Sequence, residues 1–228
     1  MSEVALDRNR GRAHLSGMID AYTFTTPNGF KLLIALEELG LEYRTKWINI
    51  AKGEQKSPEY LAVNPNGKIP ALVDDEGPEG PIAVFESGAI LTYLAEKTGK
   101  LMPSSGPGRY AVMEWVYFAI GGPGPMMGQY QHFIKFAKEQ VPYAIERYKA
   151  ETERLLEVLD KRLADNRYLA GDFSIADIIN FTWPNTARTR MGVDFTPYPN
   201  LVRWLDELAA RPAFVKALAM KPPVAAGT

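Results

Sequence analysis

Cysteine is absent from all 228 residues. Its absence excludes a disulfide scaffold, a thiolate metal site and a Cys-x-x-Cys redox centre. Any thiol or disulfide chemistry here must use sulfur carried in by a ligand. Histidine occurs only 2 times, too few for a His-rich metal site. A run of 18 or more apolar residues is missing, so no membrane-spanning helix is expected. Surplus charge is missing as well: 26 basic residues stand against 27 acidic ones, with no Lys/Arg block. That pattern excludes a broad basic face for nucleic acid. Residues 1–17, MSEVALDRNRGRAHLSG, lack the apolar core of a secretory signal. They read as a flexible tail in which His14 has no role, and Glu3 and Asp7 weigh against organelle targeting. The expectation is a cytoplasmic protein without a metal.

What is present suits one large or two modest globular domains, with 46% hydrophobic and 23% charged residues. Met18 to Tyr22 reads as a first strand. The turn TTPNG follows, and from Phe30 apolar residues recur at helical spacing until Gly40. Tyr43 to Ile50 reads as strand, and Pro58 to Leu61 as a short helical piece. Ala71–Asp74 and Ile82–Phe85 read as a hairpin with the long loop DDEGPEGP. Ser87 to Thr98 is a helix stopped by Gly99.

The tract MPSSGPG, 102–108, reads as a linker, and beyond it the pattern is helical throughout. Arg109 to Ile120 is a helix that GGPGP, 121–125, must break or bend. Pro142 to Leu163 is a long helix with Ile145, Tyr148, Thr152, Leu155, Leu159 and Leu163 on one stripe. Asp172–Arg190 and Asn200–Leu218 complete the chain. The sequence predicts an α+β fold: an N-terminal unit over 18–101 and an all-α unit over 107–228.

Four short stretches carry candidate chemistry. In FSIAD, Ser174 and Asp177 form a capping box and Phe173 with Ile178 a hydrophobic staple; this reading is structural. In ESG, Ser87 reads as an N-cap, but Ile90 at N3 cannot reach back. The free amides there suit either an ordinary helix start or an external carboxylate, with Glu86 beside it to receive an ammonium. In KIP, Pro70 is expected to be trans from sequence alone; a cis bond would turn the Ile69 backbone toward an extended ligand. In TTPNG, Asn28 can cap the helix that starts near Gly29. Alternatively, Thr26 and Asn28 aim a hydroxyl and an amide at a ligand thiol above the helix N-terminus, favouring its thiolate. The aromatic and methionine-rich tract from Trp115 to Phe133 fits either core or the wall of an apolar pocket.

Taken in order, NPNGKIPAL, FESGAILTYLAEKTG and YLAGDFSIADI resemble the glutathione transferase superfamily, from about Met18 to about residue 218. The TPNG start, GGPGPMMGQ and VPYAIERYKAETERL are most similar to its Nu class, the bacterial disulfide-bond reductase branch related to a fungal nitrogen-regulator domain. The resemblance implies a thioredoxin-like N-terminal domain, an all-α C-terminal domain with the second-substrate pocket, and a homodimer. It implies glutathione as cosubstrate, one or two per chain or as the disulfide, and a small disulfide or electrophile as partner. Thr26 and Asn28 match the positions that contact the glutathione sulfur. Ile69, before a Pro70 then expected to be cis, matches the clamp on the cysteinyl unit. Glu86 and Ser87 match the γ-glutamyl site, Gln55 a contact toward the glycyl end, and Arg147 a contact to a second glutathione. Lys68 matches a basic position of lesser role. The implied activity is glutathione-dependent disulfide reduction. Conjugation to electrophiles, peroxidase activity, or a non-catalytic binding or regulatory role stand as alternatives.

Overall fold

The computed structural model describes residues 18–223. The expected tail, residues 1–17, lies outside the described residues. Strands β1 (Ile19–Thr23), β2 (Tyr43–Trp47), β3 (Ala71–Gly77) and β4 (Gly80–Phe85) form one sheet in the order β2-β1-β3-β4. The β1–β2 pair is parallel, with Ile19 opposite Tyr43; the β1–β3 and β3–β4 pairs are antiparallel. A parallel pair needs a crossover, and α1 (Pro27–Leu39) supplies it. Two 3-10 turns and α2 (Pro58–Val63) link β2 to β3, and α3 (Ser87–Thr98) follows β4. This is the thioredoxin-like arrangement. Six helices then complete an all-helical C-terminal domain: α4 (Gly106–Gly121), α5 (Pro123–Lys135), α6 (Pro142–Ala164), α7 (Ile175–Arg190), α8 (Pro199–Ala209) and α9 (Pro212–Ala219).

Both domains share one hydrophobic core, which fixes their relative placement. Leu32, Leu33, Ile34, Ala35 and Leu36 of α1 are fully buried because the sheet covers one side and α7 and α9 the other. Along α7, Ile175 through Pro184 are all buried. Its start is the expected capping box: Ser174 Oγ accepts from the Ala176 amide, and Asp177 Oδ2 accepts from the Ser174 amide at 3.0 Å. Asp177 Oδ1 also accepts from the Leu169 amide and Trp204 Nε1, each at 3.0 Å. Burial pushes this carboxyl up to about 6, against those hydrogen bonds, which hold it down.

The structure corrects several boundaries. The hairpin has no long loop; β3 and β4 extend until Gly77 pairs with Gly80. Strand β2 ends at Trp47 rather than Ile50. The last three residues of the expected linker, 106–108, belong to α4, which begins at Gly106. The expected helix Asn200–Leu218 is two, because Pro212 biases Arg211 to an extended backbone, φ −67° and ψ 135°. The expected break in GGPGP falls at Gly122, where a side chain would also meet Leu155 of α6 at 3.0 Å.

Candidate functional site

The strand-to-helix turn after β1 builds one wall of a cavity. Thr26 has extended backbone, and its Oγ1 accepts from the Gly29 amide at 3.1 Å. Thr26 is therefore the N-cap of α1, not Asn28 as the sequence suggested. Pro27 occupies N1, where its missing N–H costs nothing. The Thr26 hydroxyl proton stays available for donation. Asn28, freed from capping, lines the cavity, and its Oδ1 accepts from Trp183 Nε1 of α7 at 3.0 Å.

The second wall is the segment before β3. The Ile69–Pro70 bond is cis, as the family resemblance implies and against the expectation from sequence alone. The approach to it is pinned: the Lys68 carbonyl accepts from Tyr60 Oη at 2.5 Å and from Asn64 Nδ2 at 2.6 Å. Burial raises the Tyr60 phenol to about 12, so it stays a donor.

The third wall is the start of α3. Here too the cap differs from expectation. Glu86 is the N-cap, with φ 70° and ψ 119°, and makes no capping side-chain bond; Ser87 is the first helical residue. A positive φ is rare for a residue with a Cβ, and such geometry clusters at functional sites. It leaves the first-turn amides without a side-chain acceptor; the sequence reading expected free amides here too, but from a Ser87 cap with Ile90 at N3, whereas N3 is Ala89.

These walls enclose about 220 Å³, lined by Asn28, Lys68, Ile69, Pro70, Glu86 and Ser87. Six of the nine sequence-nominated residues thus meet in one place. Thr26 lies two residues from Asn28 on the same turn. Gln55 sits in a 3-10 turn close to Gly67, its Oε1 buried and without a hydrogen-bond partner among the described residues. Arg147 is exposed on α6 and lines a separate depression with Met126, Tyr143 and Glu151. The Trp115–Phe133 tract serves both alternatives: Val116, Met127 and Tyr130 are core, whereas Ile120, Gly124 and Pro125 face the cavity.

Three polar cavity residues escaped the sequence reading: Asn64 and Asn66, in what read as a plain turn, and Lys31. Lys31 of α1 is only 2% exposed yet lines the cavity. Among the described residues it has no hydrogen-bond or ion-pair partner. Burial pulls its ammonium down to about 8, and the Glu86 carboxylate partly opposes that. A lysine in sequence suggests a solvated face; the only available signal was its position one helical turn after Asn28. The described residues contain no group of three or more metal-ligating side chains, and no described helix is long and apolar enough to cross a membrane.

The fold and this three-walled cavity are those of a glutathione-using thioredoxin-like protein with an appended helical domain. Residues 25–97 match the family described as "Glutathione S-transferase, N-terminal domain", and residues 124–212 match "Glutathione S-transferase, C-terminal domain". The chain is 47% identical over 204 residues to the disulfide-bond oxidoreductase YfcG of Escherichia coli, covering 88% of this chain and 94% of that protein. A Burkholderia graminis glutathione transferase with two glutathione molecules per subunit superposes with a TM-score of 0.85 at 44% identity, covering 88% of this chain and 87% of the other. A Pseudomonas putida glutathione transferase with one glutathione disulfide per subunit also gives 0.85, at 38% identity, covering 90% and 92%. The chain belongs to the glutathione S-transferase family.

Proposed function

We propose that this glutathione-dependent enzyme reduces small disulfides with two equivalents of glutathione. The observation that carries the reading is the meeting of Asn28, the Ile69–Pro70 segment and the uncapped Glu86–Ser87 helix start around one cavity, in a chain with no cysteine. The glutathione disulfide or paired glutathiones held by similar transferases support it.

In this reading, Glu86 and Ser87 hold the γ-glutamyl end, Ile69 pairs its backbone with the cysteinyl unit, and Gln55 and Lys68 face the glycyl end. The glutathione sulfur lies over the α1 N-terminus. The Thr26 hydroxyl, the Asn28 amide and the helix dipole favour its thiolate. That thiolate attacks one sulfur of the substrate; the S–S bond breaks and the other sulfur leaves as a thiolate, which takes up a proton. A second glutathione, held near Arg147, attacks the mixed disulfide and releases the remaining substrate thiol. Two glutathione thiols become one disulfide, and one substrate disulfide becomes two thiols.

The division of labour places glutathione in the 18–101 domain and the second substrate beside the 107–228 domain. A cytoplasmic homodimer fits the family resemblance. A second copy is also favoured by the apolar depression between α3 and α4, where Tyr117 is 65% exposed beside Tyr93 and Met113; sedimentation velocity tests it. The activity test is turnover of hydroxyethyl disulfide with glutathione, beside an aryl halide and a hydroperoxide. No turnover of the disulfide above background rejects the reading; faster turnover of either other substrate replaces it with conjugation or peroxide reduction.

A further inference from the structure

We propose that Trp183 is a positioning residue that sets which end of the Asn28 amide faces the glutathione sulfur. The inference rests on the role assigned to Asn28 above and extends it to a residue 155 positions away.

A primary amide has two faces of opposite use here. Its N–H groups attract a thiolate; its carbonyl oxygen repels one. The two orientations differ by a half-turn of the terminal torsion, which is soft. A neighbour must choose between them. Indole Nε1–H can only donate, so Trp183 at 3.0 Å fixes Oδ1 on the α7 side. The Nδ2 group is left with no partner among the described residues, on a side chain that lines the cavity.

The indole itself is held firmly. Trp183 is 7% exposed, on a helix buried along most of its length. Gly124 and Gly128 of α5, one turn apart, present bare backbone to it. A Cβ on Gly128 would lie 3.4 Å from Cη2, and one on Gly124 would lie 3.9 Å from Nε1. The α5 face that carries Gly124 and Gly128 thus makes a seat for the ring, on which an added methyl would lie at ordinary contact distance from it. The helical domain, through this seat, sets the polarity of a side chain in the other domain.

The test compares Asn28→Ala, Trp183→Phe and replacement of Trp183 by benzothienylalanine, which keeps the indole shape but puts sulfur where the N–H was. Two readouts are taken: thiolate absorbance of bound glutathione against pH, and the pH profile of kcat/KM on hydroxyethyl disulfide. Both position-183 variants are expected to raise the apparent thiol pKa by about half a unit and to lower kcat/KM near pH 7 roughly three- to fivefold, about one neutral hydrogen bond's worth. KM for glutathione should change little. Combining Trp183→Phe with Asn28→Ala should cost no more than Asn28→Ala alone, because both act through one group. Should Trp183→Phe fail to fold, the isosteric replacement carries the test. If Asn28→Ala shifts the profile and neither position-183 variant does, the inference is overturned and the proposed function stands. If Asn28→Ala leaves the profile unmoved, the reading of Asn28 falls and the inference with it.

Discussion

Replacing Lys31 with methionine is expected to stabilise the ligand-free protein at neutral pH, although it removes a residue from the cavity wall. The ammonium is almost wholly buried and held at about 8, against 10.5 for an ordinary lysine. A difference of about 2.5 units corresponds to roughly 3 kcal/mol. The direction follows from proton counting. Below about pH 8 the folded and unfolded chains both carry the proton, and the folded state bears the full cost of the buried charge. Between about 8 and 10.5 only the unfolded chain is protonated, so stability rises with pH. Above that range the cost is gone. Methionine keeps the apolar stem and has no charge to bury. Lys31→Met should therefore exceed the parent by about 2–3 kcal/mol near pH 7, with the gap closing toward about pH 10. Urea denaturation of both proteins across that range measures the gap, and the subtraction cancels every other titrating group. A gap that stays constant with pH, or a variant less stable than the parent at pH 7, refutes the reasoning.

Other substitutions test the remaining parts. Gly29→Ala places a Cβ 2.0 Å from the Phe24 carbonyl oxygen and 2.5 Å from Thr23 Oγ1; backbone cannot swing aside, so a loss of several kcal/mol is expected in thermal or urea unfolding. Asp177→Ala strips the acceptor from the Leu169 and Ser174 amides and the Trp204 indole; about 3 kcal/mol or more should be lost, as each buried donor left unpaired costs about 1–3. Arg147→Ala should leave binding of the first glutathione intact and raise the KM for the second several-fold, read from the curvature of rate against glutathione concentration. Ser87→Ala, which removes only a hydroxyl at the α3 start, should weaken glutathione binding by about 1 kcal/mol by calorimetry without moving the thiol pKa.

Local chemistry made some of this legible in sequence, and long-range packing hid the rest. The Ser174–Asp177 box, the Gly40 stop of α1 and the break at Gly122 depend on residues within a few positions of each other, and the sequence displays them directly. The start of α1 was misread because Asn28 is as good a capping type as Thr26; Pro27 was the deciding signal, since proline is favoured at N1. The Glu86 conformation could not be read at all: nothing about a glutamate announces a φ of 70°. Lys31 was hidden because charged residues are normally solvated, and only the convergence of α1 with the α3 start makes its position an interior one. The Trp183–Asn28 bond joins the two domains, so no window of sequence contains it.

The cost carried by Lys31 gives the cavity a measurable preference. Its ammonium and the uncapped α3 amides favour an anion, while Glu86 favours a cation. A γ-glutamyl head group, with one carboxylate and one ammonium, offers both signs at the spacing of a single amino acid. Its carboxylate would supply the counter-charge Lys31 lacks and raise the lysine pKa. Near pH 8 about half the free protein carries a neutral Lys31, so binding should take up as much as about half a proton. The glutathione thiol confuses this measurement because its ionisation releases a proton. S-methylglutathione, which has no ionisable sulfur, removes that release, and the uptake by its α-amine is common to the parent and Lys31→Met, so their difference isolates the lysine. Calorimetric titration in two buffers of different ionisation enthalpy near pH 8 should show an uptake with the parent protein that exceeds the uptake with Lys31→Met by as much as about half a proton. Near pH 6 uptake should vanish for both, because Lys31 is then protonated before the ligand arrives. Equal uptake in the parent and Lys31→Met near pH 8 would mean that the ligand carboxylate never comes close to the buried ammonium.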